Sequence, residues 1–415
     1  MDVATPFPGG LSVGTAPATS SLHAGNPLNP DPPRPDARPQ RRMSRHILIV
    51  PDKFKGTLTA AQASDAIAAG WSSVHPADHL VRIPMSDGGD GFGSVLAHAL
   101  AASTLESSTV DSAGRPRTAQ WWHSPSRSIT VVETAQIIGL ALLPHRQFHP
   151  FDLDTFGIGT VLRAAVETGA RECWVGIGGS STNDAGFGLA RSLGWQFLDA
   201  TGAPILRWPD LTRLSRVIPP PQSLAEHCRF TVAVDVENPL VGPNGCSRIY
   251  GPQKGLRPED MDAAEAALNR LATVLADHLG RDLSPQPGSG AAGGLGFALP
   301  AFLNARVESG FEIFATAADL DRQLAAADLI LTGEGSLDRQ SLMGKGTGRV
   351  AERARRHGRP CIGLAGLVET LPPGETSLFT AAHAIVPDIA PLETAKSDAA
   401  CCLTELARRT AASWG

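Results

Sequence analysis

The feature that most constrains this chain is a repeated unit: a short apolar run, a turn rich in glycine and acid, then a helical pattern. HILIVPD, RECWVGIGG, FTVAVDVENP and AADLILTGEG all read as strands that end in such turns. Strand, loop, helix, strand is the grammar of a mainly parallel α/β sheet. The first helix of the series is predicted by Thr59 and Gln62, which fit a capping box. Ala63, Ile67, Trp71 and Val74 then give one apolar stripe at i, i+4, i+8 and i+11. FGIGTVLRAAVETGA, EDMDAAEAALNRLATVLADHLG and DAACCLTELARRTAA predict further helices.

Order is expected from Arg45. Residues 1–44 are rich in Pro, Ala, Ser, Gly and Asn, with no hydrophobic period and no signal-peptide core, and read as a disordered extension or as sequence upstream of a start at Met43. Arg34, Arg38, Arg41 and Arg42 hint at a transit peptide, but Asp2, Asp31, Asp36 and the prolines weigh against one. The simplest organisation is one α/β domain built from residues 45–85 plus 291–415, with a second α/β domain inserted at 86–290. The 415 residues, 42% hydrophobic and 19% charged, are enough for large cores. A net charge of −5 disfavours nucleic acid, and no apolar run approaches membrane-span length, so neither nucleic acid nor membrane is an expected partner. The six cysteines show no metal spacing and read as reduced thiols of a cytoplasmic protein.

Acids recur where the predicted strands end: Asp52, the pair Asp87 and Asp90, Asp184, the pair Asp235 and Glu237, and the pair Glu334 and Asp338. Ligands of open α/β sheets bind at the carboxyl ends of the strands. One acid there is usually a helix cap; five such loops together suggest a Mg²⁺-dependent site for an anionic ligand. The run from Val175 to Gly186, VGIGGSSTNDAG, is the richest of them. Its glycines bare N–H groups, the following helix offers an anion site, and Asp184 can take a proton or hold a metal, a combination that suggests phosphoryl transfer. Lys53 and Lys55 follow the first strand, and Lys254 lies among the glycines of GPQKG, as point-charge binders for phosphate. GKGTG lacks Walker A spacing, and no GxGxxG follows the first strand. Residues 282–296, DLSPQPGSGAAGGLG, read as a backbone-lined loop over a ligand in preference to a linker.

Eight motifs can be read as a set. PDKFKGTLTA, PMSDGGDG, VETAQIIGL, GIGGSSTNDAG, DVENPLVGPNG, YGPQKG, PGSGAAGGLG and LTGEGSLDRQS resemble, in order, the signature series of the type I glycerate kinases, across about residues 45–370. The resemblance implies a Rossmann-like (flavodoxin-like) parallel-sheet domain interrupted by a second α/β domain, with the active-site cleft between them. It implies ATP-dependent phosphorylation of D-glycerate to 2-phosphoglycerate and ADP, with Mg²⁺ required. Direct in-line transfer asks the protein mainly for positioning and charge neutralisation. On that reading Asp184 is the base and Lys55 neutralises the phosphoryl group. Asp52, Lys53, Asp87, Gly178, Gly179, Ser180, Ser181, Asn183, Lys254, Gly290, Gly293, Gly294 and Arg339 bind substrate or phosphate. Asp235, Glu334 or Asp338 holds the metal. Several positions depart from the family pattern: Lys53 replaces a serine, Asp90 and Phe92 replace Glu and Thr, Ser336 stands for an arginine, and Arg339 stands where a small residue is usual. These changes leave open a kinase of another small hydroxy acid on the same scaffold. A nicotinamide-dependent oxidoreductase and a non-catalytic sugar-acid binding protein are the more distant readings.

Overall fold

The computed structural model describes residues 44–54, 56–86, 88–89, 91–144, 147–338, 346–369 and 378–414. The N-terminal extension up to residue 43, Lys55, Asp87, Asp90 and Arg339 lie outside the described residues. From Ser44 onward the chain forms one compact unit.

In chain order the strands are β1 (His46–Pro51), β2 (His79–Arg82), β3 (Ser103–Val110), β4 (Pro116–Ser124), β5 (Ile129–Glu133), β6 (Glu172–Gly176), β7 (Gln196–Asp199), β8 (Leu214–Ile218), β9 (Arg229–Ala233), β10 (Arg306–Glu308), β11 (Leu329–Leu337), β12 (Cys361–Val368) and β13 (Ala381–Val386). The helices are α1 (Ala60–Ser72), α2 (Phe92–Ala99), α3 (Ala135–Ile138), α4 (Phe156–Glu167), α5 (Phe187–Ser192), α6 (Cys246–Lys254), α7 (Met261–Leu279), α8 (Ala291–Leu303), α9 (Gly310–Ala317), α10 (Leu320–Ala326), α11 (Gly346–Arg356), α12 (Leu392–Ser397) and α13 (Ala399–Ser413). The capping box read at Thr59 is present: its side chain accepts from the Gln62 N–H while Gln62 Oε1 accepts from the Thr59 N–H.

The first sheet has five strands in the order β13-β12-β11-β1-β2, and every pairing is parallel. The second has six in the order β10-β9-β6-β5-β4-β3. It is parallel from β10 through β5, and the β5–β4–β3 edge is antiparallel. β7 and β8 form a separate antiparallel pair. The mixed α/β class with parallel sheets is therefore as expected.

The chain leaves the first sheet after β2 and rejoins it at β11. Residues 291–308, grouped by sequence with the first sheet, run with the second: Arg306 pairs with Thr231, and Leu295, Phe297 and Leu299 of α8 share a core with Val175 and Val232. The apolar face of α8 has its partners there, which moves the return point past residue 308.

Three apolar cores stack through the molecule. One lies outside the first sheet, where Ile47 and Ile49 meet Ala63, Ile67 and Trp71 of α1 and Leu403 and Leu406 of α13. One lies outside the second sheet, around Cys173, Val175 and Val232. The third lies between the sheets: Leu48, Val50 and Ile330 of the first and Trp122, Val131 and Trp174 of the second both pack on Phe92, Leu96, Phe311 and Phe314. β6 shows the logic, since Cys173 and Val175 face one core and Trp174 the other, as alternation in a strand buried on both faces requires.

Candidate active site

A cavity of about 1610 Å³ opens along the carboxyl edge of the first sheet. The turn after β1 supplies Asp52 and Lys53, both half-buried, and β11 supplies Glu334 and Ser336. The Asp52 N–H donates to Gly333 O at 2.8 Å and its Oδ1 accepts the Lys53 N–H at 2.7 Å, which fixes the turn against β11. Glu334 Oε1 accepts from the hydroxyl of Thr347, a buried residue in the first turn of α11. Carboxylates, a lysine and a hydroxyl thus converge where parallel α/β sheets bind ligands.

The second sheet reaches this cavity through one turn. Gly179, with φ +74°, lines it beside Gly89 and Gly91. A Cβ on Gly178 would stand 2.9 Å from Gly89 Cα and 3.0 Å from Gly88 O, so the two glycine turns touch backbone to backbone. Behind them stands Glu133 at the end of β5. It is 3% exposed, and its carboxylate accepts the N–H groups of Gly91 at 3.0 Å and Gly93 at 2.9 Å. An acid at a helix N-terminus is favourable, and here it ties α2 to the second sheet. Glu133 was missed among the candidate residues although it obeys the same rule as the others, an acid closing an apolar strand.

The remainder of the VGIGGSSTNDAG run turns away from the cavity. Ser180 to Asp184 are all buried. Ser181 Oγ donates to Ile138 O at 2.8 Å, and Asn183 Nδ2 donates to Ser247 Oγ at 2.9 Å. Asp184, expected as the base, has no exposed surface. Its Oδ2 accepts the Thr155 N–H at 3.0 Å, the Thr155 hydroxyl at 2.8 Å and the Gly188 N–H at 2.9 Å, while Oδ1 accepts the Gly186 N–H at 3.2 Å. This is the arrangement of a buried helix cap. Burial, with the charge of Asp154 in second place, pushes its carboxyl up to about 6.

Lys254 is also interior. Its ammonium donates to Ser180 Oγ at 2.9 Å and Thr182 O at 2.6 Å, and burial brings it down to about 8. The expected ligand loop at Gly290, Gly293 and Gly294 is buried as well. Gly293 has φ +70°, and a Cβ there would lie 2.0 Å from Thr182 O; Ala185 N donates to Gly293 O at 3.0 Å. The glycines let α8 press against the 182–185 backbone, so they face that segment and not the cavity.

Three acids were candidate metal ligands. Glu334 lines the cavity. Asp338 follows β11 and is half-buried. Asp235, beyond β9, accepts the Gly310 N–H at 3.0 Å and lies beside Gly88. Among the described residues no group of three His, Cys, Asp or Glu side chains is placed to hold a metal. Mg²⁺ in kinases needs only one or two carboxylates, with phosphates and water completing its shell, and Glu334 on the cavity wall fits that donor type. All six cysteines are free, five of them buried. Among the described residues no helix is long and apolar enough to cross a membrane.

A cavity at the carboxyl edge of a parallel sheet, edged by acids, a lysine and glycine turns, fits an α/β enzyme. Comparison with known proteins makes the class specific. Residues 47–415 match the model of the glycerate kinase family. The chain is 36% identical over 380 residues to a glycerate kinase of Halalkalibacterium halodurans, covering 89% of this chain and 98% of that one. It is 37% identical over 322 residues to the glycerate 2-kinase of Escherichia coli, covering 77% and 84%. A crystal structure from Salmonella typhimurium LT2, assigned as glycerate kinase 2, superposes with a TM-score of 0.79 at 34% identity, covering 89% of this chain and 98% of that one. The chain belongs to the glycerate kinase family and is a kinase.

Proposed function

We propose that the protein transfers the γ-phosphoryl group of ATP to the 2-hydroxyl of D-glycerate, with Mg²⁺, releasing 2-phosphoglycerate and ADP in the cytoplasm. The observation that carries this reading is the convergence of Asp52, Lys53, Glu334 and the Gly179 turn on one cavity in a chain of this family. The 2-position is favoured by similarity to the Escherichia coli glycerate 2-kinase.

In this reading the two sheets are the two lobes of the enzyme. Lys53, with Lys55 two residues on, neutralises the moving phosphoryl group, and the Gly178–Gly179 amides line its path. Asp52 accepts the hydroxyl proton, the task first given to Asp184. Asp184 instead holds the loop behind Gly179 in place, together with Lys254 and the glycines of α8. Asp87 and Arg339 keep the binding roles expected of them. Glu334, with Asp338 nearby in sequence, would hold the metal, which when bound neutralises phosphate charge. A loose transition state asks little of a base, so precise placement matters more than proton transfer.

The test is a phosphorus NMR spectrum of the product from ATP and D-glycerate. A 2-phosphoglycerate signal is expected, with turnover lost in EDTA and restored by Mg²⁺. A 3-phosphoglycerate signal overturns the regiochemistry. Ser336, which lines the cavity where the family pattern has arginine, makes the acceptor the point to vary. Faster turnover of L-glycerate, tartronate or a longer aldonate would replace D-glycerate as the substrate.

A further inference from the structure

Helix α2 begins without a cap of its own. Its N-cap residue is Gly91, at φ +89°, and glycine has no side chain to accept the first N–H groups of the helix. The Phe92 N–H bonds within the turn, to Gly89 O at 3.0 Å. The N–H groups on either side of it go to one distant acid. Glu133 Oε1 accepts from Gly91 at 3.0 Å and Oε2 from Gly93 at 2.9 Å, so the last residue of β5 supplies the cap that the turn lacks.

The backbone of β5 is tied to the other glycine turn. Glu133 is the register partner of Gly176, and the Thr134 N–H donates to Gly176 O at 2.8 Å. Gly176 leads into Gly178 and Gly179, and Gly178 abuts Gly88 and Gly89. Gly89, Gly91 and Gly179 all line the cavity. Glu133 therefore holds one glycine turn through its backbone and the other through its buried side chain.

We propose that Glu133 is a positioning residue for phosphoryl transfer: its carboxylate sets the Gly89–Gly91 turn against the Gly178–Gly179 turn. This rests on the kinase reading above and adds what holds its glycine wall in place. Two observations carry it further than a helix cap. First, the body of α2 is secured without the carboxylate, because Phe92 and Leu96 are buried in the core between the sheets. What Glu133 adds is the path of the backbone ahead of Phe92. Second, that backbone has no side chain to fix it. Gly88 and Gly91 both sit at positive φ, and bare glycine turns have many conformations open to them. Two hydrogen bonds to a single carboxylate select one. In-line transfer is sensitive to such a choice, since a misplacement of about 1 Å can cost roughly 100-fold in rate.

The experiment uses the full chain and the variants Glu133→Gln, Glu133→Asp and Val132→Ala. Glutamine keeps the shape but offers one acceptor, and turns its NH₂ toward the second N–H. Aspartate keeps the charge and draws it back by one methylene. Val132, next along β5, faces the core outside the second sheet and serves as the control. Glu133→Gln should lower kcat roughly 10- to 100-fold and leave each KM within about threefold. Glu133→Asp should lose kcat in the same sense. Val132→Ala opens a cavity and lowers Tm, yet its kcat per folded molecule should stay within about twofold of wild type. Amide exchange gives an independent readout: the Gly91 and Gly93 N–H groups should exchange faster in Glu133→Gln than in Val132→Ala. A near-wild-type kcat in Glu133→Gln overturns the proposal. So does an equal loss in Val132→Ala, which would mean general loosening of β5. Should the glutamine variant not fold, the aspartate variant decides by the same criteria. If D-glycerate proves not to be the acceptor, the functional reading fails by itself; kcat is then compared on the acid that is phosphorylated, and the outcome still decides the role of Glu133.

Discussion

Glu334 and Asp184 follow the same kind of sequence. Glu334 lies in the last half of the parallel strand β11 and Asp184 beyond the parallel strand β6, each among glycines and hydroxyls and each ahead of a helix. Their surroundings are opposite. Glu334 is half-buried on a cavity wall and accepts from Thr347. Asp184 is sealed, and four donors from Thr155, Gly186 and Gly188 surround its carboxylate. What separates them is what packs next to the strand end. α8 closes over the 182–185 segment through Gly293 and Gly294, whereas Glu334 lines the cavity. A strand-end acid can reach a ligand only where no helix covers it.

That contrast predicts a crossed pair of phenotypes, the largest effect expected here. Glu334→Gln keeps an acceptor for Thr347 and should lower kcat roughly 100-fold with little change in Tm. Asp184→Ala strips the partners from four buried donors and should cost about 3 kcal/mol of stability. Its kcat, measured on the remaining folded protein, should fall much less. Melting curves and steady-state kinetics on both variants check the pair. A stable but inactive Asp184→Ala would return the base to Asp184 and break the comparison.

A second substitution sharpens the claim that α8 seals the 182–185 segment. Gly293→Ala places a Cβ against Thr182 O at a backbone φ of +70°. The left-handed conformation and the overlap together should cost about 2–3 kcal/mol, read as a lower denaturant midpoint. The same exchange at exposed Gly169, also at positive φ but with open space around its Cβ, should cost only about 1 kcal/mol. Equal losses at the two positions would mean that the close approach at Gly293 contributes nothing.

Much of this fold was legible because its signals are local. Apolar runs bounded by glycine and acid gave β1, β6, β9 and β11, and the periodic helices α1, α4 and α7 followed from spacing alone. The antiparallel edge was not legible. β3, STLESSTV, carries mostly polar side chains, and only its pairing with β4 makes it a strand. The site divided in the same way. Asp52, Lys53, Gly179 and Glu334 were named and line the cavity. Gly290, Gly293, Gly294, Ser181, Asn183 and Asp184 were named for the same chemistry and prove to be interior. Residue type reports what a turn can bind, and only tertiary packing decides which way it faces. Glu133 shows the converse, since it fitted the rule and its meaning appeared only with Gly91 and Gly93 placed above it.

The smallest expected effect is a pH dependence carried by the sealed acid. Burial raises the Asp184 carboxyl from 3.8 to about 6, so the folded protein holds this proton more tightly than the unfolded chain does. Stability from this group is fully present below about 3.8 and is lost as pH rises through about 6. Between pH 5 and pH 7 the loss corresponds to roughly one pKa unit, about 1.4 kcal/mol, or a Tm lower by roughly 2–4 °C. Asp184→Asn has no proton to release, so the difference in Tm between wild type and this variant should change by that amount across the window. Glu334→Gln, with Asp184 intact, should keep the wild-type pH dependence of Tm. If the difference between wild type and Asp184→Asn stays flat from pH 5 to pH 7, the carboxylate reaches solvent after all, and the distinction between the two strand ends fails at its physical root.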